Sequence, residues 1–180
     1  MTTTMVFPKI RESRASDICA CCTMPASAAR LLDADMTPYH FVDALMRHQE
    51  FVAAIEFLSH ALPARESTWW SCLCIQEAFG DSLDGGMKTA CQAAVQWVLW
   101  PTEENRLLAK SHAEAVGHAG APGAAATAAG IAGASGSLTS ARAVANAVKL
   151  SSVQSPPAKI ADTQRRYVDL AIGIAQGKYM

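Results

Sequence analysis

Apolar residues recur at helical spacing along most of this chain, and this pattern restricts the fold more than any other feature. The segment that begins at Phe51 shows it clearly, because apolar residues stand at positions 51, 54, 55 and 58. Spacing of i, i+3, i+4 and i+7 places side chains on one face of an α-helix. The strict alternation of apolar and polar residues that marks a half-buried strand is found nowhere in the sequence. The pattern therefore predicts an all-α fold.

Helix start and stop signals divide the chain into seven or eight short helices. Thr37 precedes Pro38, and Thr102 precedes two glutamates, both of which are typical of a helix N-terminus. Gly80 follows the helix that we expect from Ala64 onward and is a suitable C-terminal cap. The predicted helices cover approximately residues 38–48, 50–61, 64–79, 91–99, 103–117, 123–133, 140–151 and 160–176.

These signals also predict the domain organisation. Residues 1–36 show no sustained period, so we interpret them as an irregular leader with one short turn of helix at 26–33. Residues 37–177 then form a single helical domain, a compact bundle or stack. Its first two helices are predicted to form a helical hairpin like those of tetratricopeptide repeats. No repeat of about 34 residues follows, so a repeat array is not expected.

Composition and charge exclude several classes of protein. Lys and Arg number 15 and Asp and Glu number 16, for a net charge of −1, so we expect no nucleic-acid partner. No run of about 18 strongly apolar residues exists, and we therefore expect no insertion into a membrane. The first residues lack the basic and apolar regions of a secretory signal peptide. We expect a cytoplasmic location.

Six cysteines stand at positions 19, 21, 22, 72, 74 and 91. The run from Cys19 to Cys22 suggests a site for a soft metal, but a second matched pair of cysteines is missing. Cys72 and Cys74 are two residues apart on a predicted helix and therefore point in different directions. Since a cytoplasmic protein keeps its thiols reduced, we expect structural free thiols, with no metal, no cofactor and no disulfide.

The segment 115–141 contains no Asp, Glu, Lys or Arg and consists mainly of Ala and Gly. Small side chains let a helix approach its neighbours closely, so the segment suits the interior of the domain. Interfaces also exclude charge from their centres, so docking of a partner or of a second subunit explains the same composition. Both interpretations remain open, with packing inside the domain favoured.

The densest polar and aromatic cluster lies between positions 60 and 70, where one predicted helix ends and the next begins. In one interpretation it is a site that binds a partner protein, since tryptophan and arginine are common at interfaces. In the other it is a rigid corner in which the charges stabilise helix ends. The two tryptophans are adjacent, so we expect one in the core and the other facing a groove. The candidate partner-binding residues are His60, Arg65, Glu66, Trp69 and Trp70.

No sequence motif of a known catalytic or phosphate-binding site occurs in the chain. We therefore assign no catalytic residue and expect that the protein is not an enzyme. A small helical enzyme that uses His60, Arg65 and Glu66 together at the corner stays as an alternative.

Several blocks resemble an uncharacterised bacterial family of helical proteins, a domain of unknown function. The resemblance covers about residues 37–177 and leaves the leader unmatched. Residues 131–134 depart from it, because small residues stand where we expect bulky aromatics. The blocks that carry the resemblance are residues 41–45, 54–66, 69–74, 97–98, 101–106, 135–138 and 167–177.

The resemblance implies no known activity. Members of that family sometimes lie near type VI secretion genes in proteobacteria, which implies an accessory or adaptor role in a secretion or virulence system. The resulting function hypothesis is a protein–protein interaction module whose partner is another protein. An immunity-type protein that binds one partner tightly is a further alternative, and a homo-oligomer is left open.

Overall fold

The computed structural model describes residues 7–117, 120–132 and 137–179. These residues form helices and connecting turns and contain no strand, so the all-α prediction is confirmed. None of the described helices has both the length and the apolar character needed to cross a membrane. Ten α-helices follow one another: α1 (Ala15–Cys19), α2 (Ala26–Ala29), α3 (Pro38–Arg47), α4 (Phe51–Ala61), α5 (Ala64–Phe79), α6 (Gly85–Leu99), α7 (Glu103–Val116), α8 (Ala121–Ile131), α9 (Ser137–Ser152) and α10 (Ile160–Ala175).

The predicted capping residues begin and end these helices. The Thr37 hydroxyl accepts a hydrogen bond from the backbone N–H of His40 at the start of α3, at 3.3 Å. Thr102 accepts one from the backbone N–H of Asn105 at the start of α7, at 3.2 Å. Gly80 ends α5 with a positive φ of 52°. A tight turn then joins α3 to α4, and the two helices pack against each other as the predicted hairpin.

Helix α8 lies at the centre of the fold. It packs against α5, α6, α7 and α9, and nearly all of its side chains are buried. Glycine is required at Gly130, because a Cβ atom there would lie 2.7 Å from Cα of Lys110 in α7. The interpretation of the uncharged segment as a docking surface is therefore wrong for residues 121–132, which are packed inside the domain. Residues 118, 119 and 133–136 of that segment lie outside the described residues.

The leader contains two short helices and packs on the rest of the molecule. The side chains of Phe7 and Ile18 are buried in the main hydrophobic cluster together with residues of α4 and α10. The backbone N–H of Lys9 donates to the carbonyl oxygen of Ala175 at 3.2 Å, so the leader also bonds to the end of α10. Only α2 corresponds to the helical turn expected at 26–33.

Candidate functional site

The corner between α4 and α5 positions most of the predicted site residues. Helix α4 ends at Ala61, and Pro63 has an extended backbone that turns the chain before α5 begins. Because the chain turns here, residues on the last turn of α4 and the first turns of α5 face different parts of the surface. The five predicted residues consequently do not share one surface.

Trp70 belongs to the core. Its side chain is fully buried, and its indole N–H donates to the carbonyl oxygen of Tyr167 in α10 at 2.8 Å. The hydroxyl of Tyr167 donates in turn to the carbonyl oxygen of Cys74 at 3.2 Å. These two bonds join α5 to α10, so Trp70 supports the fold and is out of reach of a partner in this conformation.

Trp69 lines a surface cavity of about 300 Å³, which we name the tryptophan cavity. Its side chain is half-buried, and its buried indole N–H has no hydrogen-bond partner. This is the arrangement expected for adjacent tryptophans, one in the core and one facing a groove. The cavity is lined by charged and apolar residues from both ends of the chain and from α5 and α6: Lys9, Arg65, Glu66, Trp69, Val98, Leu99 and Tyr179.

Two charged residues of the predicted site have fixed positions at this cavity. The Glu66 carboxylate forms an ion pair with Lys9 at 3.2 Å, and the Glu66 side chain is largely shielded from solvent. The Nε–H of Arg65 donates to the carbonyl oxygen of Val98 at 2.6 Å and so satisfies a free acceptor near the end of α6. Each charge therefore holds two segments together while it lines the cavity.

Arg65 also separates the tryptophan cavity from a second depression of about 570 Å³. The second depression lies against the loop between α6 and α7, and Trp97 and Arg106 contribute to its wall. Arg106 forms an ion pair with Glu103 at 2.6 Å and also donates to the carbonyl oxygen of Gly130. The wall of this depression is therefore bonded to α8 and contributes to the stability of the fold.

His60 lies apart from the other charged residues of the corner. Its Nδ1–H donates to the carbonyl oxygen of Glu56, one turn earlier in α4, at 2.9 Å. The ring lines a different cavity, of about 330 Å³, together with Glu12 and Cys21 from the leader. His60 thus does not line the cavity that Arg65 and Glu66 share.

Exposed apolar side chains accompany the tryptophan cavity. Leu99 and Tyr179 at its rim are 47% and 50% exposed, and the next residue after Leu99, Trp100, is 57% exposed. The sequence pattern does not predict Lys9, Leu99 or Tyr179 as site residues. Leu99 is an apolar residue at the end of a predicted helix, which is a local pattern that could have indicated its exposure. No local pattern indicates that Lys9 and Tyr179 lie at this cavity.

A further depression of about 660 Å³ is a groove between α3 and α10. Its rim carries the ion pair between Asp43 and Arg47, at 2.7 Å, and the acidic side chain of Asp169. Its apolar floor includes Phe7 and Phe51, which are both buried. Half of the residues that line this groove are charged or polar, whereas exposed apolar side chains stand at the rim of the tryptophan cavity.

The described residues contain no group of three or more His, Cys, Asp or Glu side chains placed to hold a metal ion. The six cysteines are free thiols. Cys72 and Cys74 are buried in α5, and burial raises the pKa of the Cys74 thiol. A pair of thiols lies at the end of α1, where Cys19 and Cys22 are both half-buried.

Comparisons with known proteins agree with the expected membership in a family of unknown function. The search of curated proteins gave no match, and the search of solved structures gave none. Residues 41–175 match a protein family described as Family of unknown function (DUF6931). The match begins inside α3 and ends at the last residue of α10, so it covers the helical domain without the leader. This chain belongs to the DUF6931 family.

Proposed function

We propose that this protein is a protein–protein interaction module that binds its partner at the tryptophan cavity. The observation that carries the proposal is the combination of a concave, partly apolar site with exposed hydrophobic side chains at its rim. Leu99 and Tyr179 leave apolar surface in water, which a bound partner would cover. The rest of the cavity is already ordered by the bonds of Arg65 and Glu66.

The cavity also has the chemistry of an interface centre. An apolar or aromatic anchor of a partner fits a volume of about 300 Å³ lined by Trp69 and Val98. The terminal guanidinium nitrogens of Arg65 have no partner among the described residues, so they offer donors to a carboxylate or a carbonyl of the same partner. We expect a partner segment with a large apolar side chain next to an acidic residue. A second copy of this chain is one such partner.

The alternative function, an enzyme at the corner, has less support. General acid–base chemistry by His60, Arg65 and Glu66 requires the three side chains at one bound substrate. His60 lines a different cavity and is bonded to its own helix. An immunity-type protein would use the same tryptophan cavity as the proposed module and would differ from it in binding tighter to a single partner.

The cellular context is a further part of the proposal. We infer an accessory or adaptor role in a bacterial secretion system of type VI, or in a virulence system, with a cytoplasmic location. The support for this context is the resemblance of the blocks from residue 41 to residue 177 to a bacterial family. The family match and the geometry support the helical module itself.

The test compares two matched surface variants. Leu99→Glu places a charge at the rim of the tryptophan cavity, whereas Val153→Glu makes the same kind of change at a distant residue of similar exposure, 53%. Each full-length variant and the wild type are used to capture proteins from an extract of the source organism. Captured proteins are identified by mass spectrometry, and the affinity for each is then measured by calorimetry.

We expect a partner that binds the wild type and Val153→Glu with equal affinity. The same partner should bind Leu99→Glu at least about tenfold more weakly, which is a loss of about 1.4 kcal/mol of binding free energy. Circular dichroism checks that both variants are folded. If every partner binds Leu99→Glu as well as it binds the wild type, the tryptophan cavity is not the binding site.

A further inference from the structure

Cys19 and Cys22 lie on a single helical turn at the end of α1. The backbone N–H of Cys22 donates to the carbonyl oxygen of Cys19 at 3.3 Å, which closes this turn. The Cys22 thiol points back along the turn, since its Sγ lies 3.6 Å from the carbonyl oxygen of Ile18 and 3.8 Å from that of Cys19. Both thiols are half-buried on this turn.

This geometry is close to that of a disulfide. Residues three apart on a helical turn have Cβ atoms about 5–6 Å apart, and a disulfide holds its Cβ atoms at about 3.5–4.5 Å. The two Cβ atoms therefore have to approach each other by about 1–2 Å for the bond to form. We propose that Cys19 and Cys22 form a redox-active dithiol that closes to a disulfide by exchange with a low-molecular-weight disulfide such as oxidised glutathione.

The surroundings favour Cys19 as the thiol that reacts first. Its hydrogen bond from Cys22 lowers the pKa of the Cys19 thiol, despite partial burial. The same bond, together with burial and the nearby carboxylate of Glu56, raises the pKa of the Cys22 thiol. Cys19 is consequently the thiol that ionises first, and its thiolate is the nucleophile in exchange.

The exchange proceeds in two balanced steps. The Cys19 thiolate attacks one sulfur of glutathione disulfide, forming a mixed disulfide and releasing glutathione thiolate. Cys22 then gives its proton to solvent, and its thiolate attacks the Cys19 sulfur, which expels the second glutathione. Overall the protein loses two electrons and two protons, and these reduce one glutathione disulfide to two thiols.

The neighbouring Cys21 provides a matched control. It is exposed, and its thiol lies against the carbonyl oxygen of Asp17 on another side of the turn. A trypsin fragment covering residues 15–30 contains Cys19, Cys21 and Cys22 and no other cysteine. Oxidation at this turn is therefore measured separately from any reaction of the cysteines at positions 72, 74 and 91.

The experiment treats folded full-length protein with oxidised glutathione, blocks the remaining thiols and maps the 15–30 fragment by mass spectrometry. In the wild type, we expect a disulfide in this fragment, seen as a loss of two hydrogens. We expect the same loss in Cys21→Ser, whose fragment contains only the cysteines Cys19 and Cys22. We expect Cys22→Ser to stop at the mixed disulfide with glutathione on Cys19. Circular dichroism verifies folding, and Cys22→Ala replaces Cys22→Ser if the latter unfolds.

Two results would overturn the inference. One is a Cys21→Ser protein in which Cys19 and Cys22 stay reduced, although oxidised glutathione reacts with other thiols of the same chain. The other is a wild-type disulfide that maps to Cys21. Neither result bears on partner binding at the tryptophan cavity, so this inference and the proposed function fail independently.

Discussion

Trp70 lies where α5 meets α10, and its environment explains why a single side chain carries so much of the fold. The indole is fully buried, and its N–H is bonded to the carbonyl oxygen of Tyr167. Removal of the ring would leave a large cavity in the core and would break the hydrogen bond that joins α5 to α10. Trp69, one residue earlier, contributes to a surface cavity.

We expect Trp70→Ala to lower the free energy of unfolding by about 3–5 kcal/mol, because the lost ring leaves a cavity that the core cannot refill. The exposed Trp100 is the control, and Trp100→Ala should stay within about 0.5 kcal/mol of the wild type. Urea denaturation followed by circular dichroism measures both. Equal stability of the two variants would contradict the placement of Trp70.

Cys91 should be the most readily alkylated of the cysteines on α5 and α6. A hydrogen bond from the Cys72 thiol lowers the pKa of Cys91, so the reactive thiolate is present at lower pH than for an ordinary thiol. Cys72→Ala removes this bond, and we expect the alkylation rate of Cys91 at neutral pH to fall. Mass spectrometry after timed exposure to iodoacetamide gives the rate. A faster reaction in the variant would show that the bond does not favour the thiolate.

Sequence could predict that the two tryptophans differ, but not which of them is buried. The angle between neighbouring side chains on a helix is a local property. The choice between Trp69 and Trp70 depends on α10, which is far away in sequence. His60 shows the same limit, because its predicted convergence with Arg65 and Glu66 depends on how the chain turns at Pro63.

At the scale of helices, most boundaries were predictable because prolines, glycines and hydroxyl caps act within one or two turns. The position of α8 was not, since a helix made of Ala and Gly has no polar face to show which side meets solvent. Its burial between four other helices decides between the two interpretations of its composition. Helix α1 was missed because five residues are too few to show a period.

A charge in the middle of α8 should unfold the protein. Ala129 is fully buried, and Ala129→Glu would place a carboxylate without a partner in the core, which costs several kcal/mol. Ala115→Glu is the matched control in the same uncharged segment, because Ala115 is exposed at the end of α7. Circular dichroism and thermal melting compare the two. A folded Ala129→Glu protein with the melting temperature of the wild type would contradict the central position of α8.

At the scale of the whole molecule, residues that precede α1 and follow α10 lie together at the tryptophan cavity. Lys9 precedes the first helix and Tyr179 follows the last, yet both line the tryptophan cavity with Arg65 and Glu66. The backbone bond from Lys9 to Ala175 explains how the leader reaches this position. Periodicity and capping are local signals, so they predict the fold class, which is confirmed, but not which distant residues lie beside Arg65 and Glu66.

The leader should stabilise the domain, although the family match begins only after it. Ile18 is 3% exposed and belongs to the same hydrophobic cluster as residues of α4. We therefore expect Ile18→Ala to lower the free energy of unfolding by about 2–5 kcal/mol. Arg11→Ala, at an exposed position of the leader, should change it by no more than about 0.5 kcal/mol. Urea denaturation compares the two variants. If both unfold like the wild type, the leader is a separate appendage, and the stable domain begins at residue 37 as the sequence pattern predicts.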